Sequence, residues 1–265
     1  MKDVKHIIIF AIIAAFCLTG CGLAVKEADF FSVRERKLGR EVKEKMPALG
    51  EDYAKVSWER VYGISREYPG IVISTATFDN KPFNYLIIAV SNVHDTTVLL
   101  SGDVEVLADT GAVVGLENIY EREVTPGNTI LVPIFCGIGD RPNGRVRWRN
   151  VSFKDSGSTA VPWSAEWEIR HDPHPDAGAE DLIGDVHISL EGEATGVGSV
   201  DALLLDKEGR ILSYGCSFIG SDKTGCREIE DELRFFTYKY DEVNDMALFA
   251  DFKTYEGRKN GREEI

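Results

Sequence analysis

Three clusters in this 265-residue chain have the residue types to do chemistry. His171-Asp172-Pro173-His174-Pro175-Asp176 places two imidazoles and two carboxylates within six residues. Imidazole nitrogen and carboxylate oxygen are ordinary zinc ligands, so His171, His174 and Asp176 are metal-ligand candidates. The two prolines hold an extended course that splays neighbouring side chains apart, and no fourth ligand is evident. An ordinary loop between strands is the expectation, with no metal and no other cofactor. Glu228, Glu230, Asp231 and Glu232 form an acidic run. Calcium needs six to eight converging oxygens, whereas consecutive strand residues alternate faces, so a solvated strand edge that resists further pairing is expected. Arg145, Arg147 and Arg149, with Arg141 nearby, alternate with Val146 and Trp148. The three share one strand face at about 6.6–7 Å spacing. Such a row could grip an anionic polymer, or it could pair with Glu or Asp across the sheet. Gly-x-Ser-x-Gly, His-Glu-x-x-His and phosphate-binding Gly-rich motifs are absent from the sequence, so no catalytic residue is assigned.

The cysteines carry different chemistry. Lys2 and Lys5 precede an apolar run, Ile7 to Leu18, of twelve residues. A membrane span needs about 20, so this run is too short to remain as one. Thr19 and Gly20 are small, and Cys21 follows. This order resembles the signal peptide of bacterial lipoproteins. The resemblance implies that residues 1–20 are removed and that Cys21 carries a diacylglyceryl anchor. The protein would then be lipid-anchored in the cell membrane on its extracytoplasmic face. With Gly22 rather than Asp after the cysteine, retention at an inner membrane is not favoured. Cys216 and Cys226 flank Ser217 to Gly225, which reads as a turn between two strand ends. They are candidates for a disulfide closing a loop of about ten residues, or for two free thiols. Cys136 ends an apolar run and is expected to be a small buried hydrophobe.

Charge is concentrated. The net charge is −14; residues 164–257 hold 8 Lys+Arg against 22 Asp+Glu, whereas residues 21–163 hold 17 against 19. Nucleic acid is excluded as a partner class, because phosphate binding requires a basic footprint. The acidic excess serves solubility, or holds the distal part away from anionic surfaces.

The elements that would position these residues are strands. Residues 21–55 read as anchor and charged tether. Phe31, Leu38, Val42 and Met46 fall near helical spacing there, and Pro47 ends that pattern. From Val56 the period becomes two. Phe83 to Val90 is an apolar run; Val104, Val106 and Ala108 alternate, and Asp109-Thr110-Gly111 turns. A phase slip after Asn150 predicts a bulge. A second series follows: Trp167 and Ile169, then Val186, Ile188 and Leu190, the apolar Val200 to Leu205, and a turn at Asp206 to Gly209. Short strands with regular turn signals predict an all-β fold of two sandwiches, residues 56–158 and 159–258, with a tail at 259–265.

Each unit has an apolar strand, an Asp-to-Gly turn and a further apolar strand. With Leu204, Leu205 and Asp206 at one strand end, and Pro126-Gly127 before a later strand, the chain resembles the FxLYD-type, immunoglobulin-like domains of bacterial envelope lipoproteins. It departs from them where Ala202 stands for Phe and Leu205 for Tyr. The first unit matches through Leu107 and Asp109, and the second lacks Pro-Gly. The resemblance implies tandem immunoglobulin-like β-sandwiches with a non-catalytic binding or scaffolding role, toward an envelope protein or polymer. Two other readings compete: a metal-dependent envelope hydrolase built on the His171–Asp176 loop, and a solute-binding lipoprotein. The absence of alternating helix and strand opposes the usual α/β plan for the latter.

Overall fold

The computed structural model describes residues 32–172, 181–195, 198–219, 225–237 and 239–255. Cys21, His174, Asp176 and the tail at 259–265 lie outside them. The chain is all-β, as its period-two pattern predicts. The first unit holds β1 (Ser32–Val33), β2 (Arg60–Tyr62), β3 (Ile71–Asn80), β4 (Phe83–Asn92), β5 (Val98–Ala108), β6 (Val113–Val124), β7 (Thr129–Phe135) and β8 (Pro142–Asp155). They form antiparallel sheets ordered β2-β3-β4-β7 and β1-β8-β5-β6. β9 (Ser158–Ala160) leads into the second unit: β10 (Trp163–Asp172), β11 (Asp181–Leu190), β12 (Gly198–Leu205), β13 (Ile211–Ile219), β14 (Glu228–Phe236) and β15 (Asp245–Ala250). Its sheets are ordered β10-β11-β14 and β13-β12-β15, and β16 (Lys253–Tyr255) returns to pair with β9.

The two units share one connectivity. In each, a hairpin (β3-β4; β10-β11) crosses to a second hairpin (β5-β6; β12-β13). A single strand then returns beside the first hairpin (β7; β14), and another beside the second (β8; β15). The turns at Asp109–Gly111 and Asp206–Gly209 therefore close equivalent hairpins. In both, Asp206 and its counterpart region need a left-handed glycine to complete the turn: Gly111 has φ +81° and Gly209 φ +76°.

Each sandwich has its own core. Trp148, fully buried, fills the first beside Ile73, Leu86, Val104 and Ile130. Its Nε1 donates to Tyr62 Oη at 3.2 Å, which satisfies the indole inside the core. Phe235, Met246, Leu233 and Leu204 fill the second. The bulge predicted after Asn150 is present: Ser101 pairs with Ser152 and Asp103 with Arg149, so two residues of β8 oppose Gly102. Asn150 takes φ +51° there.

A third core lies between the sandwiches. The outer face of β3-β4-β7 presents Val72, Ala76, Phe78, Ile87, Ala89 and Leu131, and packs against Leu203, Leu205, Ile211, Ala247 and Phe249 of β12, β13 and β15. The molecule is thus four stacked sheets, with the two inner sheets apolar on both faces. Strands covered on both faces read as continuous apolar runs, whereas strands with one wet face alternate. Phe83–Val90 and Val200–Leu205 are such runs. β5, with every second residue buried, and β14 alternate.

The tether expectation is corrected for residues 32–55. β1 pairs with β8 (Ser32 with Arg149). Helices α1 (Arg40–Lys45) and α2 (Gly50–Lys55) flank a 3-10 turn at Met46–Leu49. Leu38, Val42, Leu49, Tyr53 and Val56 are buried in the inter-sandwich core, with Met46 partly so. The apolar stripe carries on through Pro47 because proline is tolerated in the first turn of a helical segment. Six-residue helices do not hold alone in water; burial of this stripe holds them. Tyr53 Oη lies 2.6 Å from Ser74 Oγ on β3, and Trp58 Nε1 donates to the Tyr53 carbonyl at 3.0 Å.

Candidate functional site

Three surface regions and one buried network have site-like chemistry. A shallow trough of about 780 Å³ lies over the outer face of β10-β11-β14. Cross-strand rows set Glu166 beside His187 and Glu230, then Glu168 beside Asp185 and Glu232. Arg170 ties two of these carboxylates, donating to Asp185 at 2.6 Å and to Glu232 at 2.9 Å. His187 lies 3.0 Å from Glu228. The acidic run thus divides as strand geometry requires, with Glu228, Glu230 and Glu232 outward and Asp231 on the other face. Among the described residues no group of three or more His, Cys, Asp or Glu is placed to hold a metal ion. His171, near the end of β10, is exposed and meets Tyr240 edge-on, ring centroids 6.2 Å apart.

The arginine row sits on the outer face of β8. Arg147 and Arg149 converge on one carboxylate, Glu105 of β5, at 3.2 and 2.9 Å. Glu105 is largely buried beneath them, with 13% of its side chain exposed. The cross-sheet pairing anticipated from the spacing therefore accounts for Arg147 and Arg149, and Arg145 is exposed on the same face.

The disulfide expectation is corrected: Cys216 and Cys226 are free, exposed thiols. A bridge across a single hairpin turn would require β13 and β14 to share a sheet. They belong to different sheets, and Ser213 donates to the Phe236 carbonyl at 2.7 Å while Gly215 packs on the Arg234 backbone. Cys216 thus lies toward the far half of β14, whereas Cys226 precedes its near end. About five strand residues, ~16 Å, intervene, beyond the ~7 Å Cα separation a bridge allows. Cys136 is buried, and burial pushes its thiol up to about 11.

Sequence reasoning missed a groove of about 570 Å³ where the two sandwiches meet. Phe78 stacks on Tyr85 (5.0 Å between centroids), and Phe135 lies edge-on to Tyr85 and Phe83 at 5.5 and 5.4 Å. Phe236 forms part of the second-sandwich wall. Asn80 Nδ2 crosses to the Phe236 carbonyl at 2.6 Å. The signal was weak because these rings come from one hairpin, β3-β4, and from two strands distant from it in sequence, β7 and β14.

A polar network closes the opposite end of the junction. Lys253 contacts Glu123 of the first sandwich at 3.1 Å and Asp251 of the second at 3.0 Å. Tyr255 Oη donates to Glu123 at 2.7 Å, and Thr125 donates to Asp251 at 3.2 Å. Burial raises Glu123, but hydrogen bonds from Ser156, Tyr255 and Lys253 outweigh it, leaving its pKa below the ordinary value. Asp201, buried on the inter-sandwich face of β12, accepts from Tyr214 Oη at 2.6 Å. Desolvation lifts it to about 6 despite that bond.

A scan of protein-family models finds no match to this chain, and a search of curated proteins finds none either.

Proposed function

We propose that this chain is an exported lipoprotein, anchored in the cell membrane through Cys21, with a non-catalytic binding role at the bacterial cell envelope. The observation that carries this reading is the Leu18-Thr19-Gly20-Cys21 stretch after a twelve-residue apolar run. Two or three acyl chains on Cys21 would hold the protein stably, since each buried CH₂ contributes about 0.8 kcal/mol. The fold adds a geometry to the anchor. Residues 21–31 alone separate Cys21 from β1, a span of at most ~35–40 Å. The four-sheet body therefore works close to the bilayer. The shared connectivity of the two units supports their likeness to tandem immunoglobulin-like envelope domains.

Labelling of expressing cells with radioactive palmitate tests the anchor. Label is expected on the native chain and absent from Cys21→Ser. Persistent label on Cys21→Ser, or none on the native chain, overturns the reading.

A further inference from the structure

We propose that the aromatic groove between the sandwiches is a glycan-binding site, taking a pyranose ring that bears an acidic substituent. This rests on the reading of the protein as an envelope binder and adds the ligand class. The groove has the size of a small-molecule pocket and lies at a domain boundary, where such pockets concentrate. Its apolar lining is mostly aromatic: Phe78, Phe83, Tyr85 and Phe135 from the first sandwich, Phe236 from the second. Phe135 and Phe236 remain 54% and 59% exposed. Flat walls on two sides fit a flat ligand with apolar faces better than a flexible aliphatic chain.

The polar groups narrow the choice. Asn80 Nδ2 is committed to the Phe236 carbonyl, which fixes the amide and leaves Oδ1 turned away from that carbonyl. That oxygen is buried without a donor. A buried acceptor left unpaired is unfavourable, and Asn80 lines the groove, so a ligand hydroxyl or amide N–H that displaces the cover over this oxygen would pair it. A pyranose supplies both features, apolar ring faces and a rim of hydroxyl donors. Lys81, on the exposed β3–β4 turn at the lip, has no carboxylate partner among the described residues, whereas Lys239 is paired with Asp79 at 3.3 Å. The lip thus carries uncompensated positive charge on a chain of net charge −14, which favours an acidic sugar over a neutral one.

Equilibrium dialysis of the purified full-length protein tests this with two radiolabelled probes. One is the acidic disaccharide N-acetylglucosaminyl-N-acetylmuramic acid and the other is neutral di-N-acetylchitobiose. The acidic probe should bind saturably and several-fold tighter than the neutral one. Phe236→Ser should weaken both about tenfold or more, and Asn80→Ala about tenfold, the effect of losing one good hydrogen bond. Lys81→Gln should leave neutral binding intact and erase the preference. Phe236 and Lys81 are exposed, so these variants should keep the native circular dichroism spectrum. No saturable binding of either probe overturns the proposal, as does undiminished binding by Phe236→Ser. Capture of an aromatic tetrapeptide in place of both sugars also overturns it. Palmitate labelling and glycan binding are read independently, so failure of one leaves the other standing.

Discussion

The outer face of β3-β4-β7 and the outer face of β10-β11-β14 occupy equivalent places in the two units, yet their chemistry is opposite. The first presents Val72, Ala76, Phe78, Ile87 and Ala89 and docks the second sandwich. The second presents Glu166, Glu168, Asp185, Glu230 and Glu232 to water. Like units packed head to tail form a heterologous contact that geometry alone does not close, and the terminal unit of such an array needs a polar outer face. The carboxylate face supplies that ending. The acidic excess of residues 164–257 thereby gains a structural account: much of it lies where a third sandwich would otherwise stack. At the other end Arg147 and Arg149, drawn onto Glu105, make the opposite outer face polar as well.

The most forceful way to break this contrast is to put a charge into the docked face. Leu203, fully buried on the inter-sandwich side of β12, becomes a lone buried carboxylate in Leu203→Asp. That should cost more than about 4 kcal/mol, read as a large fall in the urea midpoint. Glu166→Ala on the equivalent wet side of the second sandwich should stay within about 0.5 kcal/mol. Similar losses for the two substitutions would mean that the sandwiches do not depend on their contact.

Asp201 sharpens the same comparison, because it is the carboxylate that the docked side of β12 does contain. Burial lifts it from 3.8 to about 6, with the Tyr214 hydroxyl pulling the other way. The folded chain then holds this proton more tightly than the unfolded chain. Its stabilising effect is fully present below about pH 4 and is lost as pH rises to about 6. The difference amounts to about 3 kcal/mol. Asparagine accepts the same Tyr214 bond and stays neutral, so Asp201→Asn should exceed the native chain by up to that amount at pH 7.5 and match it at pH 4. Urea denaturation across this range measures it; parallel curves for the two proteins would show that water reaches the carboxylate.

Both sides of the contrast were partly legible in the sequence. Alternation at Val186, Ile188 and Leu190 gives a strand with one wet face, and the β11 burial pattern follows it. The unbroken runs Phe83–Val90 and Val200–Leu205 carry the opposite message, burial on both faces, but nothing local says that each run covers the other. The helical stripe from Leu38 to Val56 was legible as far as Met46, and Pro47 hid its continuation. The groove was illegible for a different reason. Phe78, Phe83, Phe135 and Phe236 have no common period, and only the crossings between sheets bring them together. The Cys216–Cys226 spacing misled because a short turn signal does not reveal whether the next strand stays in the same sheet.

The smallest expected effect concerns how the acidic face tolerates itself. Asp185 lies directly across from both Glu168 and Glu232, and like charges so placed are destabilising. Arg170 offsets this by reaching Asp185 and Glu232 together, although it remains 43% exposed. Exposed pairs contribute about 0.2–1 kcal/mol each, so Arg170→Ala should cost about 1 kcal/mol at low salt. The loss should shrink toward zero near 1 M NaCl, where screening acts within about 3 Å. Adding Asp185→Asn should recover most of it, because the repulsion that Arg170 offsets is then gone. A loss that salt and Asp185→Asn both leave unchanged would place the role of Arg170 in the packing of its aliphatic stem, and the face would then stop the stack by hydration rather than by charge.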